Sequence, residues 1–169
     1  MDNEIPKKLY HGSGHQITDE FVRTKPGFIN NMQTPVTAVF ATNYDRARLY
    51  AVMRIIGGEH WKSPIGNHTL CVEQVEPNIS EKAYIYELDS NGFVHDSQTE
   101  YYSLTDKKIQ NIIEIDIMQE IINGNIRLFV LKDKTDFENM SYQAAMDLWR
   151  ETTHHLDKFE LYNLGAKRI

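Results

Sequence analysis

The sequence predicts an α+β fold built on a largely antiparallel sheet. Two observations predict it: short apolar or alternating segments dominate the middle of the chain, and helical patterns occur only after the second of them and at the end. Lys8 to His11 reads as a short strand stopped by Gly12-Ser13-Gly14. Thr37 to Ala41 forms a second strand, and Thr42 and Asn43 are good helix N-caps. Asp45 and Arg46 then open a helix to about Ile56, closed by Gly57-Gly58. Thr69 to Val75 is strand-like, and Ala83 to Leu88 more so, because Tyr84, Tyr86 and Leu88 alternate with Ile85 and Glu87. Thr99 to Leu104 gives another short strand. Asp116 caps a brief helix ended by Gly124, and Arg127 to Leu131 is a further strand. The last segment, about 135–164, reads as helical through Leu148, Trp149, Leu156, Phe159 and Leu161. Two zones read as loops: 22–38, with Pro26, Pro35 and adjacent Asn30 and Asn31, and 57–68, with three glycines and Pro64.

Composition narrows the function classes. The 169 residues are 41% hydrophobic and 25% charged, the mix of one globular domain. A chain of this size buries about 70% of its unfolded surface and needs no disulfide or metal staple. Cys71 is the single cysteine, so neither an internal disulfide nor a thiolate zinc site is expected. No apolar run has the length of a membrane span, and MDNEIPKKLYH lacks the apolar stretch of a signal peptide. A cytoplasmic location is the expectation. The net charge of −6 argues against unspecific nucleic-acid binding, which needs a basic face. The pairs Lys107-Lys108 and Lys167-Arg168 are ordinary on a solvated surface.

Three groups of residues suggest chemistry. His11 closes a strand and is followed at once by Gly12, which lets a ligand approach the backbone beside an imidazole. Taken alone, such a histidine has an ordinary structural role. Tyr50 lies about two helical turns beyond Thr42 and faces back toward the strand end, where its ring could lie on a planar ligand or pack in the core. Glu100, in Gln98-Thr99-Glu100-Tyr101-Tyr102, starts a strand after the polar loop Asp89 to Ser97. A carboxylate at a strand mouth stabilises developing positive charge or holds a hydroxyl, although a rim glutamate in solvent is commoner.

Taken in order, these residues resemble the His-Tyr-Glu branch of the ADP-ribosyltransferase superfamily, which includes diphtheria-toxin-like and poly-ADP-ribose-polymerase-like catalytic domains. Tyr10-His11-Gly12-Ser13 is similar to its first strand, VFATNYDRARLYA to its strand–helix unit with Tyr50, and Thr99-Glu100-Tyr101 to its glutamate motif. The resemblance covers about residues 8–131 and implies one domain, a split, mainly antiparallel sheet flanked by helices, and NAD as substrate. It implies that His11 bonds the adenosine ribose, that the Gly12 backbone holds the carboxamide, and that Ser13 contacts a ribose hydroxyl. Tyr50 would stack on the nicotinamide, and Glu100 would be the catalytic residue, bonding the 2′-hydroxyl of the nicotinamide ribose.

The chain departs from the pattern twice. Val39 stands where many relatives have a second stacking aromatic, and Ala47 where they have a serine that bonds the carboxamide. Rifamycin-modifying members of comparable length typically carry Asp where Glu100 stands. No motif names the acceptor of ADP-ribose, which could be a protein, a small molecule or a nucleic acid. Two alternatives share the fold: NAD hydrolysis, and a non-catalytic nucleotide-binding or interaction module. An unrelated α+β domain with chance motifs is the remaining reading. The enzyme requires His11, Tyr50 and Glu100 at one cleft, with Glu100 free of a permanent salt-bridge partner.

Other motifs are weaker. His11 and His15 are separated by glycines that disfavour the helix of a zinc-protease motif. Gly12-Ser13-Gly14 lacks the third glycine of a dinucleotide fingerprint, and no G-x-S-x-G elbow accompanies Ser13. Met140 and Met146 read as packing residues, and His154-His155 as surface.

Overall fold

The computed structural model describes the chain apart from residues 1–3, 31–32, 80, 97–98, 134–138, 151–155 and 163–169. The fold is mixed α+β, and among the described residues all strand pairs with a defined register but one are antiparallel. It divides into two compact units, Met1–Ala51 with Ala83–Ile115, and Val52–Lys82 with Asp116–Ile169.

The first unit carries two four-stranded sheets. One has the order β1 (Lys8–Ser13), β7 (Lys82–Asp89), β10 (Lys107–Asp116), β2 (Phe21–Val22). The other runs β3 (Lys25–Ile29), β4 (Thr34–Ala41), β9 (Tyr101–Ser103), β8 (Val94–His95). Between them Tyr10 and Thr42 form a single antiparallel bridge, each N–H donating to the other's carbonyl at 2.9 Å. Leu9, Val39, Ala41, Tyr86 and Leu88 are buried together on one face, with Val22 and Phe93. They come from both sheets, and their spacing of two along each strand follows the pleat.

Helix α1 (Tyr44–Gly57) starts where the sequence indicates, Asn43 Oδ1 accepting from the Arg46 N–H at 2.8 Å. Gly58 ends it in the left-handed region at φ +57°. In the second unit, β5 (Lys62–Ile65), β6 (Thr69–Val72), β11 (Arg127–Leu131) and β12 (Phe159–Leu161) form a sheet in the order β12-β11-β6-β5, with β6 and β11 parallel. Asp116 caps α2 (Ile117–Ile122) by accepting from the Gln119 N–H. Helix α3 (Tyr142–Arg150) sets Ala145 and Leu148 in a core with Ile65, Cys71, Leu131 and Phe159.

Several expectations change. Both loop zones contain strands: 22–38 holds most of the β3–β4 hairpin and 57–68 holds β5. Pro26 and Pro64 sit on edge strands, where a missing N–H costs little, so proline does not mark loops here. The segment 135–164 is not helical throughout, because Phe159–Leu161 adds to the edge of β11 and buries Phe159. Strand β10, the longest, is not evident in the sequence, since polar residues break the alternation of KKIQNIIEID. His154 and His155 lie outside the described residues.

Candidate functional site

Strand alternation puts Tyr10 and Gly12 on the face of β1 that meets α1. There the Tyr10 and Tyr44 rings meet edge to face at 5.4 Å. A Cβ at Gly12 would lie 2.0 Å from the Ala47 carbonyl oxygen and 2.7 Å from the Ala51 nitrogen. Glycine on the strand and alanines on the helix therefore form one close seat. Ala47 is fully buried in it, which gives that departure from the resembled pattern a packing reason. Val39 is buried on the opposite face, and the half-buried aromatic nearest to it in the strand is Phe40.

Glu100 precedes β9 rather than starting it. Two contacts fix its backbone: the buried Thr42 hydroxyl donates to the Thr99 carbonyl at 2.9 Å, and the Asp96 N–H donates to the Glu100 carbonyl at 2.9 Å. Glu100 thereby comes level with Thr42, two residues before α1, and its side chain meets the first turns of that helix. The Tyr50 hydroxyl donates to Glu100 Oε1 at 2.8 Å. Arg46 Nε donates to the same oxygen at 3.2 Å, and Arg46 Nη2 to the Tyr50 oxygen at 3.2 Å. Arg46 and Tyr50 stand four apart on α1 and so share a face. No hydrogen bond from a described residue reaches Glu100 Oε2, and 29% of the side chain is exposed.

Burial dominates the electrostatics. It holds the Glu100 carboxyl above its ordinary value, with the Tyr50 bond and the Arg46 charge acting against it. The Tyr50 phenol is pushed up to about 12 by burial, with the Glu100 charge adding. Burial works against the Arg46 charge too, but Tyr50 and Glu100 outweigh it and raise the guanidinium. The trio sets a carboxyl, a phenol and a guanidinium against one another. Oε2, which no described residue bonds, can accept a hydroxyl proton or face a developing cation.

His11 lies across β4 from Glu100. Tyr10 pairs with Thr42 on one side of that strand and Ala41 with Tyr101 on the other, so two strand spacings of about 4.8 Å separate them. The His11 Nδ1–H donates to the Phe40 carbonyl at 2.7 Å. A carbonyl only accepts, so the proton sits on Nδ1 and Nε2 keeps its lone pair. Burial holds this imidazole below its ordinary value; the Phe40 bond opposes that and the Lys25 charge adds to it. Ser13 Oγ accepts from the His15 N–H at 3.1 Å in a local turn.

The structure thus joins Tyr50 directly to Glu100 and sets His11 on the far side of β4, with no hydrogen bond to that pair among the described residues. Gly12 is accounted for by the α1 seat. Glu100 is not free of an ion-pair partner, contrary to the expectation for an active enzyme, because Arg46 reaches it from one turn before Tyr50. Sequence reasoning missed Arg46 as a site residue, although its four-residue spacing from Tyr50 was a readable signal. No protein-family model, curated protein or solved structure matches the chain.

Proposed function

We propose that the first unit binds NAD and cleaves its nicotinamide–ribose bond, passing ADP-ribose to an acceptor, in the manner of the ADP-ribosyltransferases its motifs resemble. The observation that carries this reading is the Tyr50–Glu100 contact, which restrains one carboxylate oxygen, while no described residue bonds the other. In this reading Oε2 accepts from the 2′-hydroxyl of the nicotinamide ribose. As the C–N bond breaks, its electron pair stays with nicotinamide and the ribose becomes oxocarbenium-like. The positive charge thereby moves from the nicotinamide ring onto the ribose, and a carboxylate fixed beside that sugar stabilises it there more than in the ground state. The acceptor's nucleophilic atom then bonds to the anomeric carbon and gives up its proton; with water as acceptor the same step is hydrolysis. His11 Nε2 accepts from a hydroxyl of the adenosine ribose.

A second reading rests on the Arg46–Glu100 ion pair at 3.2 Å. A carboxylate neutralised by a fixed guanidinium suits a module that holds a nucleotide without cleaving it.

The deciding experiment measures nicotinamide release and NAD binding by the full chain and by Glu100→Gln. Release that falls by about a hundredfold or more in the variant, with binding retained, is the expected result. Binding without release by the unmodified protein selects the second reading. Neither binding nor release removes both.

A further inference from the structure

The β3–β4 hairpin does not extend away from its sheet. Ala41 is level with Tyr101 and His95, beside Asp96, whereas Thr34 pairs with Ile29, beside Asn30. Seven residues separate Ala41 from Thr34, about 23 Å along a straight strand. Yet the Asn30 N–H donates to Asp96 Oδ1 at 3.0 Å. A second contact shows the same curl. Gly27 pairs with Val36, four residues and about 13 Å of extended strand from Phe40. Nevertheless the Phe40 ring lies so close to Gly27 that a Cβ there would fall 2.5 Å from Cε2. The hairpin must fold back over Phe40. Its tip is shaped for this, with Asn30 in the left-handed region at φ 53° and the Gln33 N–H closing onto Ile29 and Asn30.

Phe40 alternates with Thr42, which is in line with Tyr10, so the hairpin curls onto the face that carries Glu100 and α1. One side of Glu100 then meets Arg46 and Tyr50. On the other side Asp96, which holds the Glu100 carbonyl through its N–H, also holds the hairpin tip through its carboxylate.

We propose that the β3–β4 hairpin is a strap across the Glu100 face, latched by the Asp96 carboxylate on the Asn30 amide, and that releasing this latch opens the way to the carboxylate for a nucleotide. The idea of a nucleotide rests on the function proposed above; the latch does not. Among the described residues, opening breaks one charge-assisted hydrogen bond and the Phe40–Gly27 contact, within the range of local openings.

The latch is tested by amide hydrogen exchange on the full chain, comparing the unmodified protein with Asp96→Ala and Asp96→Asn. Residues 25–37 are expected to exchange about tenfold faster in Asp96→Ala and close to normally in Asp96→Asn, whose amide carbonyl still accepts, with 82–89 unaltered. Unchanged exchange at 25–37 in the alanine variant, or an equal rise throughout, overturns the proposal. Cover of the carboxylate is read without nucleotide by placing Glu100→Cys in both the Asp96 and the Asp96→Ala chains and timing alkylation. Cys71 is fully buried and its thiol is pushed up to about 12 by that burial, so it reacts slowly. Labelling about tenfold faster without the Asp96 carboxylate supports the strap, and equal rates refute it. Neither readout needs NAD, so the latch stands or falls independently of NAD cleavage.

Discussion

The Tyr50 hydroxyl and Glu100 Oε1 are 2.8 Å apart although fifty residues separate them in the chain. Tyr50 arrives on the second turn of α1 and Glu100 at the mouth of β9, and the Thr42–Thr99 bond sets the level at which they meet. A carboxylate held at one oxygen by a phenol and a guanidinium is oriented before any ligand arrives, which is the condition for electrostatic catalysis without reorganisation.

The contact has a pH signature. Burial holds the Glu100 carboxyl above 4.5, its ordinary value, so the folded chain keeps that proton to higher pH than the unfolded chain does. The stability from this group is therefore complete below 4.5 and is lost as pH rises through the folded value. The Tyr50 bond lowers the Glu100 value, so removing it in Tyr50→Phe moves the folded value, and with it the loss, upward. Carbon-detected NMR titration of the Glu100 carboxyl in both proteins checks this. A midpoint in Tyr50→Phe at or below that of the unmodified protein contradicts it.

Gly12 is required by packing, whatever it does for a ligand. Gly12→Ala forces a methyl into the Ala47 carbonyl and the Ala51 amide, backbone atoms that cannot rotate away. The expected cost is about 3 kcal/mol, the upper part of the range for overpacking. Urea denaturation measures it, and a cost below about 1 kcal/mol would show that β1 and α1 separate easily.

His11 gives the opposite pH dependence. Its folded value lies below 6.5, so between those two values the unfolded chain binds more protons. Its contribution is complete above 6.5 and declines as pH falls through the folded value. His11→Asn keeps a side-chain N–H for the Phe40 carbonyl but does not titrate. Chemical denaturation from pH 8 to pH 5 should show the unmodified protein losing stability faster than the variant. Parallel curves would mean that the imidazole is solvated in the folded state.

Much of the fold is legible in the chain. Asp116 and Asn43 cap the helices that the sequence assigns to them, because a side-chain oxygen facing open N–H groups is a local interaction. Arg127–Leu131 is a strand as its run of apolar residues indicates. Strand β10 and the terminal strand β12 are not legible, since their conformation comes from the neighbours they pair with and not from their own alternation. Pro26 and Pro35 suggest a loop because proline cannot serve a central ladder, but Pro26 lies on the edge strand β3 and Pro35 on the part of β4 before its pairing with β9 begins.

The site divides in the same way. The sequence by itself determined the residue types, with His11, Tyr50 and Glu100 standing out through spacing and strand-end position. Only the tertiary structure decided that Tyr50 and Glu100 share a hydrogen bond while His11 stays two strand spacings away, across β4. It alone decided that Gly12 and Ala47 are the two sides of one contact, and that Arg46 reaches the Glu100 carboxylate while Asp96 holds the Glu100 backbone carbonyl. The physical reason is range. Caps, turns and alternation act over four residues or fewer, whereas each of these relations joins segments brought together by strand pairing and the packing of α1 on β1.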